Sequence, residues 1–164
     1  MTRLTLDEYA LLDELQCRYI SALDGKDMPS WIDTFDDDPA VSYICIARSD
    51  IENDLQVAMM LDDCRDRIID RGTFITEVWA GTFQDYRTRH FVQRVHASRR
   101  QDGNIEMSSN FSVIFTPDDT GLPQQLAVGT YEDIIRMDSN GCNFLSRNAV
   151  TDNPVLPRYL VFPL

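Results

Sequence analysis

His90 and His96, the four cysteines Cys17, Cys45, Cys64 and Cys142, and a few strand-borne carboxylates and tyrosines are the residues whose types could do chemistry. The two histidines are six positions apart. On a regular strand they face the same side, and six residues at ~3.3 Å each separate them by about 20 Å. One metal cannot take both without a sharp bend, so a two-histidine, one-carboxylate iron site cannot be assembled from this chain alone. A Rieske cluster needs two cysteines and two histidines in close pairs, whereas these cysteines are scattered with no CxxC or CxH pair. No Gly-rich phosphate loop, GxSxG elbow or HExxH helix is present.

General acid–base catalysis asks for less: one carboxylate and a tyrosine or histidine in a dry pocket. Tyr43, Asp85, Tyr86, His90, Glu132 and Asp133 are the candidates. The structural alternative is favoured for each, because tyrosines tile core edges and strand carboxylates face solvent or pair with arginine. Tyr86-Arg87-Thr88-Arg89-His90-Phe91 is the densest polar-aromatic stretch. Its arginines could clamp a substrate carboxylate, but pairing with acids of the same molecule or a neighbour is favoured. The run Asp36-Asp37-Asp38 lacks the spaced ligands of a calcium loop and reads as a solvated helix end.

The charge balance narrows the partners. The chain of 164 residues carries 15 basic and 27 acidic residues, a net of −12. Such a surface repels phosphate backbones and anionic lipid, which argues against nucleic-acid and peripheral membrane binding. No apolar run spans a bilayer, and Met1-Thr2-Arg3-Leu4-Thr5 lacks the apolar stretch of a signal peptide. Isolated cysteines in a charged chain fit reduced thiols and a cytoplasmic setting. Lys26 is the only lysine against fourteen arginines. Arginine's planar fork suits paired, partly buried contacts within an assembly, although a GC-rich genome explains the bias equally well.

The elements that must position these groups divide the chain in two. Residues 1–70 hold 17 acidic and 6 basic residues and read as helical. Thr5-Leu6-Asp7-Glu8 is a capping box, followed by Leu12, Leu15 or Gln16, Tyr19 and Leu23 at helical spacing, with Gly25 as the stop. Asp27 caps a short second helix with Pro29 in its first turn. A strand over Val41–Ile46 follows, then a helix predicted from Leu55 to Arg71 with Gly72 as its stop. The second half reads as strands. Thr88–Ser98 shows mixed alternation, and Gln101-Asp102-Gly103-Asn104 offers a hairpin turn. Ile105, Met107, Phe111, Val113 and Phe115 then alternate with polar residues. Leu126–Met137, the turn Asp138-Ser139-Asn140-Gly141 and Cys142–Thr151 complete the meander. Pro154–Leu164 is an apolar tail, and because free ends normally fray, it is expected to dock on its own sheet or on a neighbouring chain.

The expectation is therefore an α+β chain, one domain over 1–164, with N-terminal helices packed on a curved, mainly antiparallel sheet. This order resembles the NTF2-like cone, a fold that hosts enzymes and scaffolds alike. A closer resemblance rests on an ordered set of segments. These are Trp31-Ile32-Asp33-Thr34-Phe35-Asp36-Asp37-Asp38, Asp62-Asp63-Cys64-Arg65-Asp66-Arg67-Ile68, Arg87-Thr88-Arg89-His90-Phe91-Val92, Ser109-Asn110-Phe111-Ser112-Val113 and the Pro-Leu ending. Together they resemble the small (beta) subunit of aromatic-ring-hydroxylating oxygenases, the Rieske non-haem iron enzymes, over nearly the whole chain.

The resemblance implies a partner large (alpha) subunit carrying both the Rieske [2Fe-2S] cluster and the mononuclear iron, with no iron ligand, cofactor or catalytic residue in this chain. It also implies an alpha3beta3 hexamer and a structural or subunit-contact role for Arg87, Arg89 and His90. Tyr159 and Phe162 of the tail join them as expected interface residues. The ending Tyr159-Leu160-Val161-Phe162-Pro163-Leu164 looks most like subunits of enzymes acting on salicylate-, benzoate- or terephthalate-like carboxylates. Gly81-Thr82-Phe83-Gln84 departs from the family pattern. Two rival readings stay open: a stand-alone NTF2-like acid–base enzyme, isomerase or dehydratase, and a small-ligand binding module using the same cavity.

Overall fold

The computed structural model describes residues 3–55, 57–138 and 141–164. Helix α1 spans Leu6–Asp24 and starts at the capping box, where the Thr5 N–H donates to Glu8 Oε2 at 2.7 Å and the Glu8 N–H to Thr5 Oγ1 at 3.2 Å. Its buried stripe is Leu12, Leu15, Gln16, Tyr19, Ala22 and Leu23. The helix closes with the Gly25 N–H donating to Ser21 O, and Lys26 then turns the chain at φ 57°. Helix α2, Met28–Ile32, is capped by Asp27, which accepts from the Ser30 N–H, and it buries Trp31 against Phe35 and Tyr43.

Six strands form one mixed sheet in the order β2-β1-β6-β5-β4-β3: β1 (Ser42–Ala47), β2 (Met60–Asp62), β3 (Tyr86–Arg99), β4 (Ile105–Pro117), β5 (Gln124–Asp138) and β6 (Gly141–Thr151). Every pairing is antiparallel except β1 with β6. Register shifts at Arg94/His96, Val113/Ile114 and Ile134/Ile135 insert bulges, which bend long strands and let the sheet wrap around α1. The alternating residues Ile105, Met107, Ser109, Phe111, Val113 and Phe115 of β4 are all buried on the inner face. The Asp-Gly turn forms as read, with Gly103 at φ 88°. The turn predicted before β6 includes Ser139 and Asn140, which lie outside the described residues; Asp138 pairs with Gly141 across it. Among the described residues, no helix is long and apolar enough to cross a membrane.

The region between β1 and β3 corrects the sequence reading. Instead of one helix from Leu55 to Arg71, the chain makes α3 (Arg48–Glu52), strand β2 and α4 (Arg65–Thr73), which runs into a π-helical turn at Phe74–Val78. The reason is a period of two hidden in three residues. Met60 and Asp62 are buried opposite Cys45 and Tyr43, while Leu61 between them is exposed. Arg71 of α4 then secures Asp62 with two 2.9 Å bonds. Gly72 does not stop α4. It lies where α4 crosses α2, and a Cβ there would meet Ile32 Cδ1 at 2.8 Å.

Candidate functional site

The inner face of the sheet gathers most of the chemical candidates, and it does so around a residue that sequence reasoning missed. Arg147 on β6 is fully buried. It lies opposite Asp133 in the β5–β6 register, and its Nε and Nη2 each donate to that carboxylate at 2.8 Å. Nη2 also donates to Gln16 Oε1 of α1 at 2.6 Å, and Gln16 in turn donates to Ser109 on β4. The guanidinium packs on the rings of Tyr19, Tyr131 and Phe144 at 4.1, 4.1 and 3.9 Å from their centroids. Burial pushes the Asp133 carboxyl upward against the pull of Arg147. Both carboxylate oxygens are occupied by the guanidinium, whose Nη1 is buried without a hydrogen-bond partner among the described residues.

A second pair, buried on the histidine side and partly buried on the carboxylate side, ties α1 to β3. His90 Nδ1 lies 2.6 Å from Asp24 Oδ1, the Thr88 hydroxyl donates to the same oxygen at 2.9 Å, and the His90 amide donates to Oδ2 at 3.2 Å. Burial pushes the Asp24 carboxyl upward, but these donors and the imidazole outweigh it and hold the carboxyl below its ordinary range. The ionised carboxylate makes Nδ1 the donor.

The remaining acid–base candidates scatter. Tyr43 is buried; its hydroxyl donates to the main-chain oxygen of Leu164 at 3.3 Å and accepts from the Leu164 N–H at 2.8 Å. Tyr86 is buried and is flanked by the Arg158 guanidinium, 3.8 Å from the ring centroid, and the Phe162 ring. Asp85 is exposed and pairs with Lys26, and Glu132 is exposed on the outer face. No catalytic constellation links the six.

The histidines also depart from the regular-strand expectation. The bulge between Arg94 and His96 places His90 on the inner face, opposite buried Val113, and His96 on the outer face, opposite Ser108. The two therefore share neither a side nor a ligand position. Among the described residues no three His, Cys, Asp or Glu side chains converge as a metal cluster would need. The donor set present does not fit the iron or the cluster that the family resemblance implies for the oxygenase.

The expected interface residues split by burial. Arg87, Arg89 and Tyr159 are exposed, whereas His90 and Phe162 lie inside the molecule. Phe162 meets the rings of Phe83 and Tyr86 edge-on at 5.8 and 5.9 Å, and Val161 and Leu164 are buried beside it. The tail thus docks on its own fold while Val155 and Tyr159 face outward. Other arginines of the second half do reach the acidic half: Arg94 meets Asp13, Arg99 meets Glu8, and Arg136 meets Asp36 and Asp38. Arg87 and Arg89 form no ion pair among the described residues. The strand pair β3–β4 carries Phe91 and Val95 beside them, each 62% exposed.

Asp24, Arg147 and Gln16 could have been flagged only as polar residues within apolar patterns: Arg147 interrupts a strand, and Gln16 occupies the buried stripe of α1.

Comparison with known proteins agrees with this architecture. Over 92% of its length the chain is 22% identical to the anthranilate 1,2-dioxygenase small subunit of Burkholderia cepacia, covering 90% of that protein. It superposes on the beta subunit assigned to an aromatic-ring-hydroxylating dioxygenase of Novosphingobium aromaticivorans with a TM-score of 0.81 at 22% identity, covering 94% of this chain and 95% of that one. The beta subunit of benzoate 1,2-dioxygenase from Burkholderia mallei gives a TM-score of 0.70 at 18% identity, with 92% and 93% covered. The family model for the ring hydroxylating beta subunit matches residues 18–158. With helices packed on the same NTF2-like curved sheet, this chain belongs to the ring hydroxylating beta subunit family.

Proposed function

We propose that this chain is the non-catalytic assembly subunit of a multicomponent Rieske ring-hydroxylating oxygenase, working in the cytoplasm beside a large subunit that carries the [2Fe-2S] cluster and the mononuclear iron. The observation that carries this reading is the content of the cone. Where an acid–base enzyme would keep a substrate cavity, Arg147 hydrogen-bonds Asp133 and Gln16 among packed aromatic rings. The subunit then acts by holding its partner in place, as one chain of an alpha3beta3 hexamer and as one domain.

The exposed β3 face supports a contact role. Arg87 and Arg89 stand free of ion pairs among the described residues beside exposed Phe91 and Val95, a mixture of guanidinium and apolar surface that suits a protein interface. Tyr159 adds an exposed ring on the docked tail. Buried His90 and Phe162 serve this surface from behind, by fixing β3 and the tail. Kinship with anthranilate and benzoate dioxygenase subunits supports an aromatic carboxylate as the substrate of the assembled enzyme.

Co-expression with a ring-hydroxylating oxygenase large subunit from the same genome tests the reading. Native mass measurement should find both chains in one complex, with iron assigned to the large chain. Turnover of a ring compound by the purified small chain, or stoichiometric iron held by it alone, would overturn the proposal in favour of the stand-alone enzyme.

A further inference from the structure

Two exposed surfaces carry charges that the chain's own fold leaves unanswered. On β3, Arg87 and Arg89 form no ion pair among the described residues, and their cross-strand neighbours on β4, Thr116 and Ile114, are uncharged. Arg89 donates one N–H to the Thr88 main-chain oxygen. Further along β3 the exposed surface turns apolar at Phe91 and Val95.

The second surface is the outward stripe of α4 and of the π-helical turn that follows it. Asp66, Ile69, Asp70, Phe74, Glu77 and Val78 share one face by their three- and four-residue spacing, and all are exposed. Each arginine of α4 is already engaged by a different carboxylate: Arg65 by Asp37, Arg67 by Asp63 and Arg71 by Asp62. Asp66, Asp70 and Glu77 are left with no ion pair among the described residues. The Phe74 ring is held at the surface by edge-on packing against Trp79 at 4.9 Å. Large apolar side chains grouped in this way mark an interaction surface.

The two surfaces match in spacing as well as in sign. Along a strand Arg87 and Arg89 are about 6.6 Å apart, and along a helix Asp66 and Asp70 are about 6 Å apart. Beyond the charges each surface becomes apolar in the same chain direction, at Phe91 and Val95 on one side and at Phe74 and Val78 on the other. Helix α4 packs on β1 and β2, whereas β3 is the opposite edge strand of the sheet. The pairing that one copy does not make within itself is therefore open between two copies.

We propose that the α4 stripe of one copy of this chain seats on the β3 face of the next, with Asp66 and Asp70 meeting Arg87 and Arg89 and with Phe74 and Val78 packing on Phe91 and Val95. The inference rests on the contact role proposed for β3 and names its occupant. The contact is head-to-tail, so it repeats from copy to copy and closes into a ring when the rotation allows, as three small chains in one hexamer require.

Charge reversal of each surface, separately and together, tests the pairing. Sedimentation equilibrium of the full chain should show self-association that weakens with added salt. Arg87→Glu/Arg89→Glu and Asp66→Arg/Asp70→Arg should each weaken it by about tenfold or more, and the four-fold variant should return to within about threefold of the parent. Recovery in the four-fold variant cannot come from misfolding, and unchanged urea midpoints would show that each pair of reversals leaves the fold intact. A parent chain that stays monomeric up to millimolar concentration, or a four-fold variant no better than either pair, overturns the proposal. In the complex with the large subunit, the α4 reversal should disrupt assembly as the β3 reversal does, and the four-fold variant should restore it. An α4 reversal without effect there, beside a disruptive β3 reversal, assigns β3 to the large subunit; that result overturns the copy-to-copy contact and leaves the assembly role standing. Turnover or iron in the small chain would overturn the assembly role instead.

Discussion

Arg147 and Asp133 face each other on adjacent strands β6 and β5, joined by two parallel 2.8 Å hydrogen bonds with neither side chain exposed. Because the pair is sealed from water, each charge depends on the other. Arg147→Met should therefore cost about 3–5 kcal/mol by leaving the carboxylate uncompensated. The double variant Arg147→Met/Asp133→Leu should recover most of that loss. Urea unfolding of the two variants and the parent checks both outcomes, and a double variant as unstable as the single one would contradict this account.

The Asp24–His90 pair predicts an acid limb. Asp24 is held below its ordinary range in the folded chain. A depressed carboxylate contributes stability above its unfolded value, about 3.9, and loses it as pH falls through the lower folded value. The stability gap between the parent and Asp24→Asn should narrow steadily as pH falls below about 4. Urea midpoints measured from pH 6 to pH 2.5 would show it; a gap that widens on acidification would reverse the sign and refute the assignment.

Gly129 on β5 predicts a severe steric effect. A Cβ at this position would sit 2.0 Å from the carbonyl oxygen of Val150 and 2.9 Å from the Thr151 Cα, both backbone atoms of β6. Neither can rotate aside. Gly129→Ala should destabilise by about 3 kcal/mol through forced backbone displacement. Gly103→Ala, at an open turn with φ 88°, should cost about 1 kcal/mol from the left-handed backbone alone. Thermal or urea unfolding would rank the two.

The tail and the β3 face should separate stability from assembly. Phe162→Ala removes a buried ring packed on Phe83 and Tyr86 and should cost about 3–5 kcal/mol. Arg87→Glu/Arg89→Glu changes exposed side chains and should shift stability by about 0.5 kcal/mol or less. Under the proposed function, that charge reversal should abolish co-purification with the large subunit. Deleting residues 155–164 should weaken assembly as well. Intact hexamers from the Arg87/Arg89 variant would remove this face from the interface.

Much of the chain was legible in its amino-acid order. The capping box at Thr5 and Glu8, the Asp27 cap with Pro29, the alternation from Ile105 to Phe115 and the Asp-Gly turn all formed where the residues placed them. Each of these depends on interactions between neighbours a few positions apart, and such interactions survive without knowledge of the rest of the molecule. The poverty of metal-binding and phosphate-binding motifs was equally plain from residue types and spacing.

What the tertiary structure alone decided were the contacts that depend on register. One inserted residue near Val95 sent His90 inward and His96 outward, a difference no period of two can anticipate. Strand β2 took three residues from a predicted helix because Asp62 and Met60 found partners on β1 and α4. Arg147 met Asp133 and Gln16, and Asp24 met His90, only once bulged strands had slid into alignment beneath α1. The tail turned inward because Phe162 and Leu164 found apolar walls and phenolic donors in the cone. Local order follows from short-range sterics and hydrogen bonding; the buried polar pairs follow from which faces close against each other, and that is a property of the whole packed chain.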